Sequence, residues 1–311
     1  MPAPTRRLPS FLIATVVVTF VLIVWGGIVR LSGSGLAIPD WPLANGQVLP
    51  TASTRVLIEY THRVLAMIVG FMTLGAAIGV YRTPFYRRPL GAMMAFALLF
   101  LAIQVVMGGR VVLEELGVQR VVAHLLLAFF FFAILLRITL RAQDLVREER
   151  AAAELAGTGA GAVSEPGPLP GARALRGMSH AVAGLVFLQA GLGAWVSSSG
   201  ASLACTDFPT CHGTFFPRME GLVGIHYAHR LGAYVVFLAV LALSIRSLPV
   251  PLPPRARWPI RLAGILVSLQ MVLGIMNVVL ALPLAVSAGH LATALALFGT
   301  LLVANHELSR L

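Results

Sequence analysis

The sequence predicts an all-α integral membrane protein of eight transmembrane helices, arranged as two tandem four-helix bundles related by a pseudo-twofold axis, with both termini cytoplasmic. Three observations predict it. Hydrophobic residues make up 58% of the 311 residues and charged residues only 11%, a balance outside the range of soluble domains. Eight apolar runs, over about 11–29, 56–80, 90–108, 118–140, 177–196, 222–246, 258–280 and 284–306, each approach the roughly 20 residues that cross a hydrocarbon core. The third observation is internal repetition. His229 follows His62 by 167 residues, as Asp207-Phe208-Pro209 follows Asp40-Trp41-Pro42, and an offset one residue shorter pairs Gln104 with Gln270, Gly108 with Gly274 and His124 with His290.

The first run follows Arg6 and Arg7 as a secretory signal would. It is longer than a signal core, however, and its Gly26 and Gly33 match Gly193 and Gly200 at the repeat offset, so it belongs to the repeated unit. Beyond it, Arg30-Leu31-Ser32-Gly33-Ser34-Gly35 leads into a turn-rich outward loop containing Asp40-Trp41-Pro42. Trp41 and Phe208 suit either interfacial anchoring or the mouth of a ligand site. The second and fourth runs carry His62 and His124 at similar depth, and the sixth and eighth carry His229 and His290 in the same way. Gly75 and Gly79, four residues apart, read as a helix-packing pair.

Residues 1–140 therefore form an N-terminal bundle and 177–311 a C-terminal one, joined by a charged, then Gly-, Ala- and Pro-rich cytoplasmic linker over 141–176. Four crossings per unit return the chain to the same side, so the repeats are parallel. The net charge of +11 comes from arginine without lysine. In a soluble chain it would suggest nucleic acid, but here it sets topology. Arg82, Arg87, Arg88, Arg141, Arg147, Arg173, Arg246, Arg255 and others gather at one set of helix ends, which is the cytoplasmic side. Asp40, Glu114, Glu115, Asp207 and Glu220 lie in the opposite loops. Cys205 and Cys211 both fall in one such loop, where a structural disulfide is favoured over a metal or redox dithiol.

An ionisable side chain within a membrane helix is costly unless paired, ligated or beside water. Two symmetric histidine pairs are therefore candidate ligands rather than isolated helix contacts. Zinc asks for a third or fourth protein ligand, and only Glu59 in the first half stands near enough in sequence to contribute one. Haem iron needs two axial ligands on opposite faces of a flat ring, which a four-helix bundle can admit. Arg63 and Arg230, each next to its histidine, suit either haem propionates or the membrane interface. The halves differ at one informative position. Glu59 stands where the second half has His226, one turn from His62 on the same helical face. A carboxylate there could take a proton from, or stabilise positive charge on, a group at the ring edge.

These residues, Glu59-x-x-His62-Arg63, Arg30-Leu31-x-x-Ser34-Gly35-Leu36, Asp40-Trp41-Pro42 and the later Gln104, Gly108, Gly109 and His124, resemble the haem A synthase family over essentially all eight helices. The resemblance implies a multi-pass enzyme of the bacterial cell membrane that oxidises the C8 methyl group of haem O to a formyl group by successive hydroxylations, giving haem A for haem-copper cytochrome oxidase. It implies that His229 and His290, with Arg230, hold a resident haem b, that His62 and His124, with Arg63, bind the substrate haem, and that Glu59 is catalytic. Haem O synthase and cytochrome oxidase assembly factors are the partners it suggests, alongside the lipid bilayer. Many bacterial members carry a cysteine pair in the first outward loop, where this chain has Ile38 and Ala44. The alternatives are a non-catalytic dihaem cytochrome b that moves electrons from quinol, and a haem transporter or chaperone.

Overall fold

In the computed structural model, which describes residues 7–43, 46–47, 53–158 and 169–311, the apolar runs become eight long helices. They are α1 (Arg7–Leu31), α2 (Thr54–Arg82), α3 (Pro84–Leu113), α4 (Val118–Thr158), α5 (Ala172–Ser198), α6 (Gly221–Ser247), α7 (Pro254–Val279) and α8 (Leu284–Leu308). All eight are long and apolar enough to cross a membrane. Arg6, Ala44 and residues 159–168 of the expected linker lie outside the described residues.

Local chemistry explains where several helices start and stop. The Ser53 hydroxyl accepts the Val56 N–H at the start of α2, and Pro84 and Pro254 open α3 and α7, the positions where a missing N–H costs nothing. Gly33 and Gly200 take left-handed conformations just past α1 and α5, where a residue without Cβ ends a helix without strain. The turns α3–α4 and α7–α8 are built alike, with residues other than glycine in the left-handed region. Glu115 and Leu116 in one, and Ala281 and Leu282 in the other, all have positive φ. Leu116 N–H reaches Val111 O and Leu282 N–H reaches Asn277 O, closing both helix ends.

Two boundaries differ from the sequence reading. The charged stretch after 140 continues α4 as helix to Thr158, and α5 already begins at Ala172. Ala142, Asp144 and Val146 are buried on this extension, and Arg141 pairs with Glu148 at 2.8 Å, so packing and charge pairing carry the helix past the apolar run.

Each of α1 to α4 packs on the next and α4 returns to α1; α5 to α8 close a second ring in the same manner. The rings meet through α1, α4, α5 and α8. One apolar core lies within the first ring, around Leu12, Tyr86, Met94 and Leu135, and another draws Ile23, Phe129 and Phe132 of the first half into the second. Phe20 with Phe132 and Phe187 with Phe298 repeat one aromatic contact in the two rings, at 6.4 and 6.0 Å between centroids. Large apolar side chains such as Phe71, Phe96, Leu238 and Ile265 point outward on α2, α3, α6 and α7, as acyl chains require of a bundle's perimeter.

Candidate functional site

Each of the four paired histidines, His62, His124, His229 and His290, sits against a glycine of the preceding helix in its ring. A Cβ on Gly26 of α1 would stand 2.8 Å from Cε1 of His62, and one on Gly193 of α5 would stand 2.9 Å from Cε1 of His229. On Gly108 of α3 and Gly274 of α7, the corresponding distances to His124 and His290 are both 3.2 Å. A side chain at Gly26 or Gly193 would displace the ring, and at Gly108 or Gly274 it would crowd it. Absence of Cβ thus sets where each imidazole lies. All four histidines are half-buried, and the members of each pair, His62 with His124 and His229 with His290, lie within electrostatic reach of each other.

Glutamines stand beside three of the rings. Gln104 donates to His124 O at 3.1 Å and lies 3.5 Å from its Nε2, and Gln270 lies 3.2 Å from Nε2 of His290. Gln189 donates to His229 O at 2.8 Å and lies 3.0 Å from its Nδ1. Nδ1 of His62, His124 and His290 is buried with no hydrogen-bond partner among the described residues. No group of three or more His, Cys, Asp or Glu side chains converges among the described residues, so each ring of helices offers an imidazole pair. Two half-buried histidines placed by glycines in a four-helix ring fit the two-ligand demand of a haem.

At one end of each pair, the loop that follows the first helix of the ring is clamped to the second helix. Glu59 is buried, its Oε2 accepting the Ile38 N–H at 2.9 Å and its Oε1 meeting Arg63 at 2.7 Å. Arg63 also donates to the carbonyls of Ile38, Asp40 and Leu43 at 2.8 to 2.9 Å. In the second half, His226 Nδ1 accepts the Cys205 N–H at 3.2 Å, while Arg230 donates to Cys205 O and Thr210 O and reaches His226 Nε2 at 3.4 Å. Glu59 and His226 thus do one mechanical job: each accepts a loop N–H and engages the arginine one turn on. The terminal nitrogens of both arginines are directed to loop carbonyls, which seats the loops over the histidines.

Asp207 braces the second loop by accepting from Thr210, His212 and Gly213. The Thr210 hydroxyl first, then the Gly213 N–H, hold its carboxyl well below the ordinary range. Asp40 accepts from Gly46 at 2.8 Å in the first loop. Cys205 and Cys211 form a disulfide with Cα atoms 4.9 Å apart. Trp41 lies on Gly109 of α3, where a Cβ would come within 3.1 Å of the indole, so one side of this aromatic packs near the His124 site while the residue stays 40% exposed.

A family profile described as cytochrome oxidase assembly protein, COX15-CtaA, matches residues 9–57 and 51–302. The chain belongs to the COX15-CtaA family. Among its relatives, a haem A synthase of Nitrosospira multiformis is 28% identical over 99% of this chain and 95% of its own length. One of Shewanella oneidensis is 29% identical over 94% of both chains, and one of Halalkalibacterium halodurans 30% identical over 76% of both.

For a COX15-CtaA chain, the histidines, Glu59 and the arginines were legible from spacing, but three features were not. Gln189 lies one helical turn before Gly193, and its only sequence signal is an amide within an apolar run. Trp25 donates to Ile58 O and Thr61 Oγ1 at 3.1 and 3.0 Å, fastening α1 to α2 beside His62. A cluster in which Asp144 and His306 are buried while Arg137 and Arg310 keep contact with solvent joins α4 to the C-terminal end of α8.

Proposed function

We propose that this chain acts as a haem A synthase, built as two tandem four-helix bundles related by a pseudo-twofold axis along the membrane normal, with both termini on the arginine-rich cytoplasmic side. In this reading residues 1–140 hold the substrate haem O between His62 and His124, and residues 177–311 hold a resident haem b between His229 and His290. The observation that carries it is the matched placement of four imidazoles, each set by a glycine Cα on the neighbouring helix, two in each ring. The relatives named haem A synthase, which align over nearly the whole chain, support the same reading.

When bound, haem b supplies a one-electron redox centre near the substrate pocket. The protein's own contribution is placement. His62 and His124 fix the substrate ring between α2 and α4, while Glu59 on α2 presents a buried carboxylate one turn from His62, beneath the loop. There it stabilises positive charge, or accepts a proton, at the ring edge where the C8 methyl is oxidised to a formyl group. Arg63 and Arg230 hold the outward loops closed over the two sites. The terminal nitrogens of Arg63 are filled by the loop and Glu59, whereas each terminal nitrogen of Arg230 makes one loop contact and keeps a second N–H available to a haem propionate. The bacterial cell membrane is the setting, with haem O synthase and oxidase assembly factors as the handover partners.

Extraction of haem from the purified protein, expressed with a supply of haem O and resolved by chromatography, tests this directly. Haem b accompanied by haem O, a hydroxylated intermediate or haem A is expected. Recovery of haem b alone, with supplied haem O unchanged, would overturn the assignment in favour of an electron carrier.

A further inference from the structure

The two histidine sites differ in one feature that the repeat would otherwise make identical. Gln189 of α5 touches His229 twice, at its carbonyl and at Nδ1. The position 167 residues earlier is Leu22 of α1, and His62 Nδ1 has no partner among the described residues. The frame of comparison is secure on both sides. Gln189 precedes Gly193 by four residues and Leu22 precedes Gly26 by four, and these glycines abut the two rings in the same way. The second pair of sites does not show this contrast, because Gln104 and Gln270 accompany His124 and His290 alike.

We propose that Gln189 is the positioning residue that makes the second site a permanent haem site, and that apolar Leu22 leaves His62 free to release its haem. This rests on the proposed function, with a resident haem in the second half and an exchanging one in the first. A ligating imidazole is oriented and made more basic by a hydrogen bond at its non-ligating nitrogen, and loss of such a partner typically weakens metal binding by about 10- to 100-fold. As placed, the amide N–H faces both His229 O and Nδ1. With iron on Nε2 the ring carries its proton on Nδ1, and the amide serves it by turning its oxygen to that N–H and giving up the carbonyl contact. A substrate site has the opposite requirement. A haem that must leave as product is better held by a histidine with no such brace, whose ring swings at little cost once the iron lets go.

The test uses the full-length protein in detergent or nanodiscs, loaded with haem, and follows transfer of haem to excess apomyoglobin together with the midpoint potential of each haem. Gln189→Leu, which installs the first-half residue, should release the second-half haem about 10-fold faster or more and raise its potential. Gln189→Glu should lower that potential, because a carboxylate makes the ligand more basic. Opposite shifts separate hydrogen bonding to the ring from mere packing. Leu22→Gln should slow haem loss from the first half by about 10-fold. Gln189→Met replaces the Leu variant should that fail to accumulate. Haem loss within twofold of the parent in Gln189→Leu, or shifts of the same sign in the Leu and Glu variants, would overturn the role of Gln189. An unchanged first site in Leu22→Gln would overturn the account of exchange. His229→Ala separates these failures from failure of the underlying reading: if it leaves the haem b complement and spectrum intact, the haem assignment itself is wrong.

Discussion

Arg30 donates to the backbone oxygen of Ser197 at 2.8 Å, and Ser197 stands 167 residues on, where Arg30 stands in the first repeat. At the other end of the bundle, Arg310 meets Asp144, the residue 166 positions before it. Matched positions thus touch each other at both ends of the interface between the two helix rings, which closes the seam formed by α1, α4, α5 and α8.

At the Arg310 end of that seam a buried carboxylate and imidazole meet arginines that reach solvent. Asp144 is 2% exposed, with Arg310 on one oxygen and His306 Nε2 2.7 Å from the other, although the N–H of that ring points off the oxygen. Arg137 approaches His306 Nδ1 at 3.0 Å from the other side. Asp144 and His306 are buried but Arg310 keeps a third of its side chain exposed, so Asp144→Ala strands no fully buried charge and should cost about 1 kcal/mol. Thermal unfolding in detergent should show it as a lower midpoint, while the spectra of any bound haem in the folded protein stay unchanged. An unchanged midpoint would mean that water already screens the cluster.

How much of this was readable beforehand follows from what membrane burial penalises. Ionisable residues in apolar helices stand out because they are costly there, so His62, His124, His229, His290 and Glu59 were visible from spacing alone. Gln189 was not, since an amide is tolerated and carries no motif. The left-handed positions at Glu115-Leu116 and Ala281-Leu282 are held by neither glycine nor asparagine. Glu59 was placed correctly one turn from His62, but its grip on the Ile38 N–H depends on a loop that returns from the end of α1. The seam contacts depend on two helices distant in sequence, which no local pattern encodes.

Adding a methyl group at the glycines should act on one site at a time. Gly193→Ala places Cβ 2.9 Å from the His229 ring and Gly26→Ala 2.8 Å from His62, too close for either ring to stay in place. Gly193→Ala should lose most of its second-half haem while retaining the first, and Gly26→Ala the reverse. Haem stoichiometry by pyridine haemochrome, with electron paramagnetic resonance to distinguish the sites, checks it. Equal losses at both sites in either variant would point to a general folding defect.

Glu59 has two separable jobs, and Glu59→Gln divides them. The amide oxygen still accepts the Ile38 N–H, so the loop stays seated, but the charge facing Arg63 is gone. If the carboxylate assists the oxidation, conversion of haem O to haem A should fall by about 10²-fold or more with substrate haem still bound. Glu59→His, which copies His226, should also hold the loop and fail in turnover. A Glu59→Gln protein with near-normal haem A output would confine the residue to anchoring.

Acid should reach the second outward loop late. The Asp207 carboxyl is held below its ordinary range by the Thr210 hydroxyl and by the Gly213 and His212 N–H groups. A depressed carboxyl pKa contributes stability that is present above the unfolded value of 3.8 and is lost as pH falls through the lower folded value. Hydrogen exchange at the His212 and Gly213 amides should therefore stay protected from neutral pH down past the usual carboxylate range, once intrinsic exchange rates are corrected for pH. Asp207→Asn keeps one acceptor oxygen but adds two N–H groups where the carboxylate accepts three bonds. It should weaken protection at every pH and flatten the profile. Loss of protection in the parent above about pH 4 would show that these bonds do not hold the carboxylate in its charged form.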